Sequence, residues 1–274
     1  MSGNKELKLA VVGHIEWVSF LSVDKMPRQG LINRSNNFKE EPAGGGAVAA
    51  VQMSKLTDVP VHFFTSLGND YIGEKSFERL SSFGITMHTA WRNKPTRRAL
   101  SFIDNNGDRA ITVIGERLQP QGMDDLPWSI LKEFDGVFIT AADSKAIQFC
   151  REAKILCATP RVKFKHLNDA NIQLDALVGS NLDPDEKVHK NSLLIKPKVT
   201  VLTEGESGGI VNPGGRYKAV ELRSKAIDSY GCGDSFAAGL TYGMAANMDI
   251  QKAINLGAKC GAACATQFGP YNSR

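Results

Sequence analysis

The stretch Asp228-Ser-Tyr-Gly-Cys-Gly-Asp234 gathers two glycines and two aspartates within seven residues. After it, Phe236, Leu240 and Met244 recur at the spacing of one helical face, which predicts a helix beginning near Asp234. The first turn of a helix carries N–H groups without intrahelical partners and a partial positive charge. Glycines ahead of it let the backbone amides of 231–234 close on an anion. A carboxylate in the same place would repel a phosphate unless it has a second task, and taking a proton from an attacking hydroxyl is such a task. General base and anion hole would then act on opposite sides of one phosphoryl-transfer transition state. Asp is also a good helix N-cap, so this turn alone leaves both roles open.

Two further glycine-rich segments invite the same question. Gly44, Gly45 and Gly46 precede an Ala/Val-rich helix predicted over Ala47 to Leu56. Bare backbone there would admit a sugar and bond its hydroxyls, or simply make a packing turn. In Thr203-Glu-Gly-Glu-Ser-Gly-Gly, Gly205 and Gly208 follow an apolar run and would let nucleotide phosphates pass close by; strand-to-hairpin turns carry glycines as well.

Other chemistry is poorly represented. The five cysteines include no CxxC pair, and Cys260 and Cys264 stand four apart among Gly and Ala, as small core residues do. The five histidines show no HExxH spacing. Neither a zinc site nor a disulfide framework is expected, and a reducing compartment is. A net charge of +4 over 274 residues, with no dense basic cluster, does not point to nucleic acid. The nearest approach to such a cluster, Lys94-Pro-Thr-Arg-Arg98, reads as a solvated strand face. The polar N-terminus has no signal-peptide core, and no apolar run reaches the ~18 residues that cross a bilayer. A soluble cytoplasmic protein without membrane partners is the expectation.

Elements must position these residues. Short apolar runs at 8–13, 61–68, 136–140, 155–159, 174–180 and 200–205 read as strands buried on both faces. Helical patterns lie between several of them, notably Tyr71 to Ile85, with Gly84 as C-terminal cap, and Ser144 to Lys154. A helix capped by Asp249 ends the chain; its Gly257, Cys260, Gly261 and Cys264 allow either close packing or room for a flat ring. This alternation predicts an α/β fold, a mostly parallel sheet with helices on both faces. Two segments break the rhythm: Glu16 to Phe38, and the hairpin Ala99 to Ile114 around an Asn-Gly turn. They predict a small separate sheet covering the site, with an extension of the main sheet as the alternative.

Taken in order, these motifs resemble the PfkB carbohydrate kinases, the ribokinase-like fold. Asp228 to Leu240 is similar to the family's D-T-x-G-A-G-D signature, Glu40 to Leu56 to its N-terminal glycine signature, and Phe64 to Ile85 to its G-x-D-x-x-G segment. Phe102 to Ile111 resembles its D-x-x-G-E-R hairpin and Thr203 to Gly209 its T-x-G-x-x-G nucleotide loop. The resemblance covers nearly all of 1–274 and implies a single kinase domain with a β lid from about 16–42 and 92–115. It implies an enzyme that moves the γ-phosphoryl of ATP onto a hydroxyl of a sugar or nucleoside, with Mg²⁺ bridging the phosphates. By the same resemblance Asp234 is the base, Gly231, Cys232 and Gly233 form the anion hole, and Thr203, Gly205 and Gly208 lie along the nucleotide. Gly44, Gly45 and Gly46 line the sugar site. Asp228 and Ser229 match the region where many relatives bind a monovalent cation such as K⁺. Many relatives are homodimers, and exposed lid strands offer the edges for one.

Departures from the family pattern cluster at the substrate end. Glu16 stands where an aspartate usually grips the sugar, His14 where ribose kinases have asparagine, and Ala49 where another asparagine is common. Two polar readers of ribose are altered or lost, so the acceptor is open among sugars, nucleosides and modified polyols. In the N-x-x-E metal motif Asn181 is followed three residues later by Pro184, which leaves Asp183, Asp185 or Glu186 to supply the carboxylate. Arg161 follows a strand end where some relatives bind phosphate. A nucleoside kinase of the same fold, or a catalytically weak sensor, are the alternatives. No G-x-G-x-x-G follows the first strand, as a Rossmann dehydrogenase would need.

Overall fold

In the computed structural model, which describes residues 6–271, the chain begins with β1 (Leu9–Val12), β2 (Glu16–Val23), β3 (Ser35–Ala43) and helix α1 (Gly44–Ser54). It continues through β4 (His62–Gly68), α2 (Tyr71–Ser81), β5 (Thr86–Arg92), β6 (Arg98–Ile103) and β7 (Arg109–Ile114). The middle alternates β8 (Gly136–Ile139), α3 (Ser144–Cys150), β9 (Ile155–Ala158), α4 (Phe164–Ala170), β10 (Ala176–Ser180) and β11 (Val199–Thr203). A short hairpin, β12 (Gly209–Asn212) and β13 (Gly215–Tyr217), leads to α5 (Cys232–Ala245) and α6 (Ile250–Ala265).

Nine strands form one sheet in the order β13-β12-β11-β10-β9-β8-β1-β4-β5, parallel except for β12 and β13. Its central strands divide their side chains between two cores. Val11, Phe63, Phe138, Cys157 and Val178 face one; Val12, Phe64, Ile139, Leu156 and Leu177 face the other. Side chains alternate across a strand, so both neighbours along the chain must be apolar when both faces are covered. Each large side chain so buried contributes about 1.5–3 kcal/mol. The first core is closed by α1, α5 and α6, the second by α3 and α4.

The remaining four strands form the second sheet, in the order β3-β2-β6-β7. β2 runs parallel to β6, and the other pairs are antiparallel. Two distant segments thus build one small sheet, and Trp17 N–H to the Arg97 carbonyl, at 2.9 Å, joins them where they leave the main body. At the far end of the β6–β7 hairpin Gly107 turns the chain with φ +81°, and the Asp104 carboxylate accepts from the amides of Asn106 and Asp108.

Boundaries differ from the sequence expectation in ways that matter for the site. α1 starts at Gly44, so the three glycines are its first turn and do not precede it. α5 starts at Cys232 with Gly231 as N-cap, so Asp234 lies inside the first turn and does not cap the helix. α3 stops at Cys150 and not Lys154. β5, α4 and the β12–β13 hairpin had no counterpart in the sequence reading. β5 is a sheet edge of partly exposed residues, so its apolar signal is diluted.

Candidate active site

A cleft of about 1270 Å³ lies between the carboxyl ends of β1, β9, β10 and β11 on one side and β7 of the small sheet on the other. In open α/β sheets ligands bind outside the carboxyl ends of the strands, and here two helix starts, those of α1 and α5, meet there.

Asp234 stands at the floor of the cleft. α5 reaches it through Gly231, whose φ is +77° and whose missing side chain would collide with Val48 at 2.9 Å. Ser235 N–H bonds the Gly231 carbonyl at 2.9 Å, and Cys232 N–H makes a long bond of 3.4 Å to the Ser229 carbonyl. The amides of Gly233 and Asp234 find no acceptor among the described residues, as expected for the first turn of a helix. Burial pushes the Asp234 carboxyl up from 3.8 to about 7, with Glu186 adding to the rise and Arg161 and Arg109 opposing it. A side chain on Gly45 would come within 2.7 Å of the Asp234 Oδ1, so the carboxylate rests against the bare first turn of α1.

Beyond Asp234 the cleft reaches Glu16 and His14. Glu16 accepts from the Tyr230 hydroxyl at 3.1 Å and faces the Arg97 Nε at 3.2 Å. The same hydroxyl accepts from Gly44 N–H at 3.1 Å, tying the loop ahead of α5 to α1. Burial, then the Glu16 charge, keeps Tyr230 protonated and able to donate. Arg109, from the lid hairpin, donates to the Ser229 hydroxyl at 2.6 Å and lies over the Tyr230 ring. On the opposite side Thr203 and Gly205 line the cleft, with Arg161 held by Glu186 at 2.6 Å and by Asp183.

Of the residues singled out in the sequence, His14, Glu16, Gly44, Gly45, Arg161, Glu186, Thr203, Gly205, Ser229 and the 231–234 segment line this cleft. Four others are placed differently. Gly46 packs under His14 and Phe63, Gly208 packs against β13 and the two residues that follow it, and neither faces the cleft. Asn181 lies outside the cleft lining and donates its side-chain amide to Glu204 at 2.8 Å. Asp228 is buried, with one oxygen on Tyr230 N–H at 2.8 Å and the other on Gly269 N–H at 3.0 Å. Its carboxylate fixes the loop ahead of α5, and the Arg109 guanidinium sits at the neighbouring Ser229.

Sequence reading missed Arg97, Arg117 and Tyr230. Arg97 belongs to the Lys94–Arg98 run read as solvated; its neighbour Arg98 is exposed, whereas Arg97 turns into the cleft. The strand alternation of side chains was the available signal. Nothing marked Arg117 beforehand. The Cys232 thiol is held protonated by its hydrogen bond with Cys264 and by burial, so the backbone and not the sulfur serves this turn.

Comparison with known proteins bears on this arrangement. The family model of the pfkB family carbohydrate kinases matches residues 6–160 and 169–274. The chain belongs to that family. A ribokinase of Lactococcus lactis is 21% identical over 263 residues, covering 91% of this chain and 87% of that protein. An ATP-dependent ribose-1-phosphate kinase of Halopiger xanaduensis is 22% identical over 282 residues, covering 96% and 93%. The structure of Arabidopsis thaliana ribokinase complexed with ribose and ATP superposes with a TM-score of 0.73 at 16% identity, covering 96% of this chain and 94% of that one. The fold is ribokinase-like, and the chain is a phosphotransferase of the sugar and nucleoside kinase type. No helix among the described residues is long and apolar enough to cross a membrane.

Proposed function

We propose that the chain transfers the γ-phosphoryl group of ATP to a hydroxyl of a ribose-like sugar, with Asp234 as general base and the first turn of α5 as anion hole. One observation carries the reading: a carboxyl poised at about 7 stands in the cleft beside two amides without acceptors. Ionised, Asp234 takes the hydroxyl proton as the hydroxyl oxygen bonds to phosphorus. The bond from phosphorus to the bridging oxygen breaks, ADP leaves, and the Gly233 and Asp234 amides neutralise the transferring oxygens. Glu16 and His14 hold the acceptor, while Thr203, Gly205 and Arg161 hold the nucleotide phosphates. The relatives named above act on ribose or ribose-1-phosphate, which supports a ribose-like acceptor.

Magnesium carried by the nucleotide fits the donors present. Glu186 and Asp183 line the cleft, but no group of three or more His, Cys, Asp or Glu among the described residues forms a cage. Glu186 or Asp183 with the phosphates and waters would hold the ion, which supplies charge neutralisation at the phosphates. For assembly, the outer strands of the small sheet expose Phe38 and Ile114, which supports a homodimer through the lid.

Incubation of the purified chain with ATP, magnesium and panels of sugars, sugar phosphates and nucleosides tests the proposal. ADP release dependent on a sugar-type acceptor is expected. A preference for nucleosides would move the acceptor assignment, and no acceptor-dependent ADP release would overturn the proposal.

A further inference from the structure

Cations at the lid end of the cleft are unequally matched. Arg97 has Glu16 at 3.2 Å, and Arg161 has Glu186 and Asp183. Arg117 lines the same cleft without a carboxylate partner among the described residues; its Nη1 donates to the Arg161 carbonyl at 2.9 Å. Burial and then the charges of Arg97 and Arg161 push its guanidinium below the usual value, with Glu16, already facing Arg97, opposing them more weakly. Next to it, His14 is 7% exposed and its Nδ1 is buried without a hydrogen-bond partner. Burial, followed by Arg117, Arg97 and Arg161, holds that imidazole neutral. A partly buried guanidinium set between like charges is costly unless an anion joins it.

The position is built rather than incidental. Arg97 immediately precedes β6, and its carbonyl is fixed by Trp17 N–H. Arg98 pairs with Ile114 in the hairpin register, which brings the chain just beyond β7 back beside Arg97. After Arg117, Leu118 is buried and the Gln119 carbonyl accepts from Ser66 Oγ at 3.1 Å and from Arg92 at 3.2 Å. Both arginines are therefore presented on anchored backbone at the end of the cleft shared with Glu16 and His14.

We propose that Arg117, with Arg97 and His14 beside it, grips an anionic group of the acceptor, so that the substrate is a sugar phosphate and not a neutral sugar. The inference rests on the kinase reading for the fate of the hydroxyl, and adds the charge of the molecule that carries it. A guanidinium fork matches phosphate oxygens in paired hydrogen bonds. Arg161, held by its two carboxylates on the nucleotide side, is left to the ATP phosphates.

Calorimetric titration of the full chain without nucleotide reads this subsite independently of turnover. The probes are ribose, ribose-1-phosphate, ribose-5-phosphate, fructose and fructose-6-phosphate. At least one phosphate is expected to bind about 10- to 100-fold more tightly than its parent sugar, the range of a charge-assisted hydrogen bond. Arg117→Gln should remove that preference and Arg117→Lys should keep part of it. Equal affinity for every pair, or an undiminished preference in Arg117→Gln, overturns the proposal. So does inorganic phosphate alone binding as tightly as the sugar phosphate, which would mean an unspecific anion site. Displacement of the sugar phosphate by a non-hydrolysable ATP analogue also overturns it, since the arginines would then serve the nucleotide. Absence of ADP release with every acceptor would defeat the kinase reading while leaving the binding result intact.

Discussion

The two ends of the cleft are built on different principles. At the floor, Gly231, Cys232, Gly233 and Asp234 are consecutive and ride on the start of α5, a helix packed into the first core. At the lid end, Glu16, Arg97 and Arg117 come from three separate segments and meet only because β2 and β6 pair in the small sheet. The floor relies on backbone amides and one carboxyl whose ionisation is made difficult by burial. The lid end relies on charged side chains held against one another. Chemistry common to all phosphoryl transfer suits the first construction, since amides read no particular substrate. Recognition of one acceptor suits the second, because side chains can change without disturbing a helix start.

That contrast makes the floor the more sensitive to substitution. Asp234→Asn should lower kcat by about 10²–10⁴-fold, the usual worth of a general base, with little change in the KM for ATP; steady-state ADP release measures both. Equal turnover in variant and parent would remove Asp234 from the role of base. Gly45→Ala places a methyl 2.7 Å from Asp234 Oδ1 and should displace the carboxylate. A loss of roughly 10- to 100-fold in kcat is expected from such misplacement, with an unchanged circular dichroism spectrum.

At the lid end the expected effects are smaller and fall on binding. Glu16→Ala removes the partner of Arg97 and the acceptor of the Tyr230 hydroxyl. The KM for the acceptor should rise about 10-fold, as for a lost charged hydrogen bond, while that for ATP stays. A change confined to ATP would exchange the roles of the two ends.

Ionisation joins the two regions. As the proposed base, Asp234 would act only when deprotonated, so kcat/KM should rise with pH through about 7 and level off above it. Glu186 is one of the charges that raise Asp234, so Glu186→Gln should shift this profile to lower pH by a fraction of a unit; a shift upward would contradict the electrostatic account. The smallest effect is on stability. A carboxyl whose folded value exceeds its unfolded one stabilises fully below the unfolded value and loses that contribution as pH rises through the folded value. Asp234→Asn should therefore melt higher than the parent at pH 8, by about 2 °C or more for ~1 kcal/mol in a chain of this size, and the difference should shrink at pH 5 and disappear only as pH falls below the unfolded value of 3.8.

Local order was legible where the physical constraint is local. Burial on both faces writes itself as the unbroken apolar runs of β1, β8 and β9, and the 3.6-residue period announced α2 and α5. The edge strand β5 and the short helix α4 lack such a signal, because half-exposed segments mix polar and apolar residues. Asp249 shows the opposite case: its side chain accepts from Lys252 N–H at 2.9 Å, and the cap was visible in the sequence.

By itself, the sequence determined the α/β class, the order of the motifs and the helix start that carries Asp234, since each depends on residues within a few positions of one another. Only the tertiary structure decided that Asp234 lies inside the turn and against Gly45, that Asp228 and Asn181 bond neighbouring loops, and that Arg97 and Arg117 line the cleft with Glu16 and His14. Those facts depend on which distant segments approach, and on a carboxyl or guanidinium being withdrawn from water by neighbours far away in the chain.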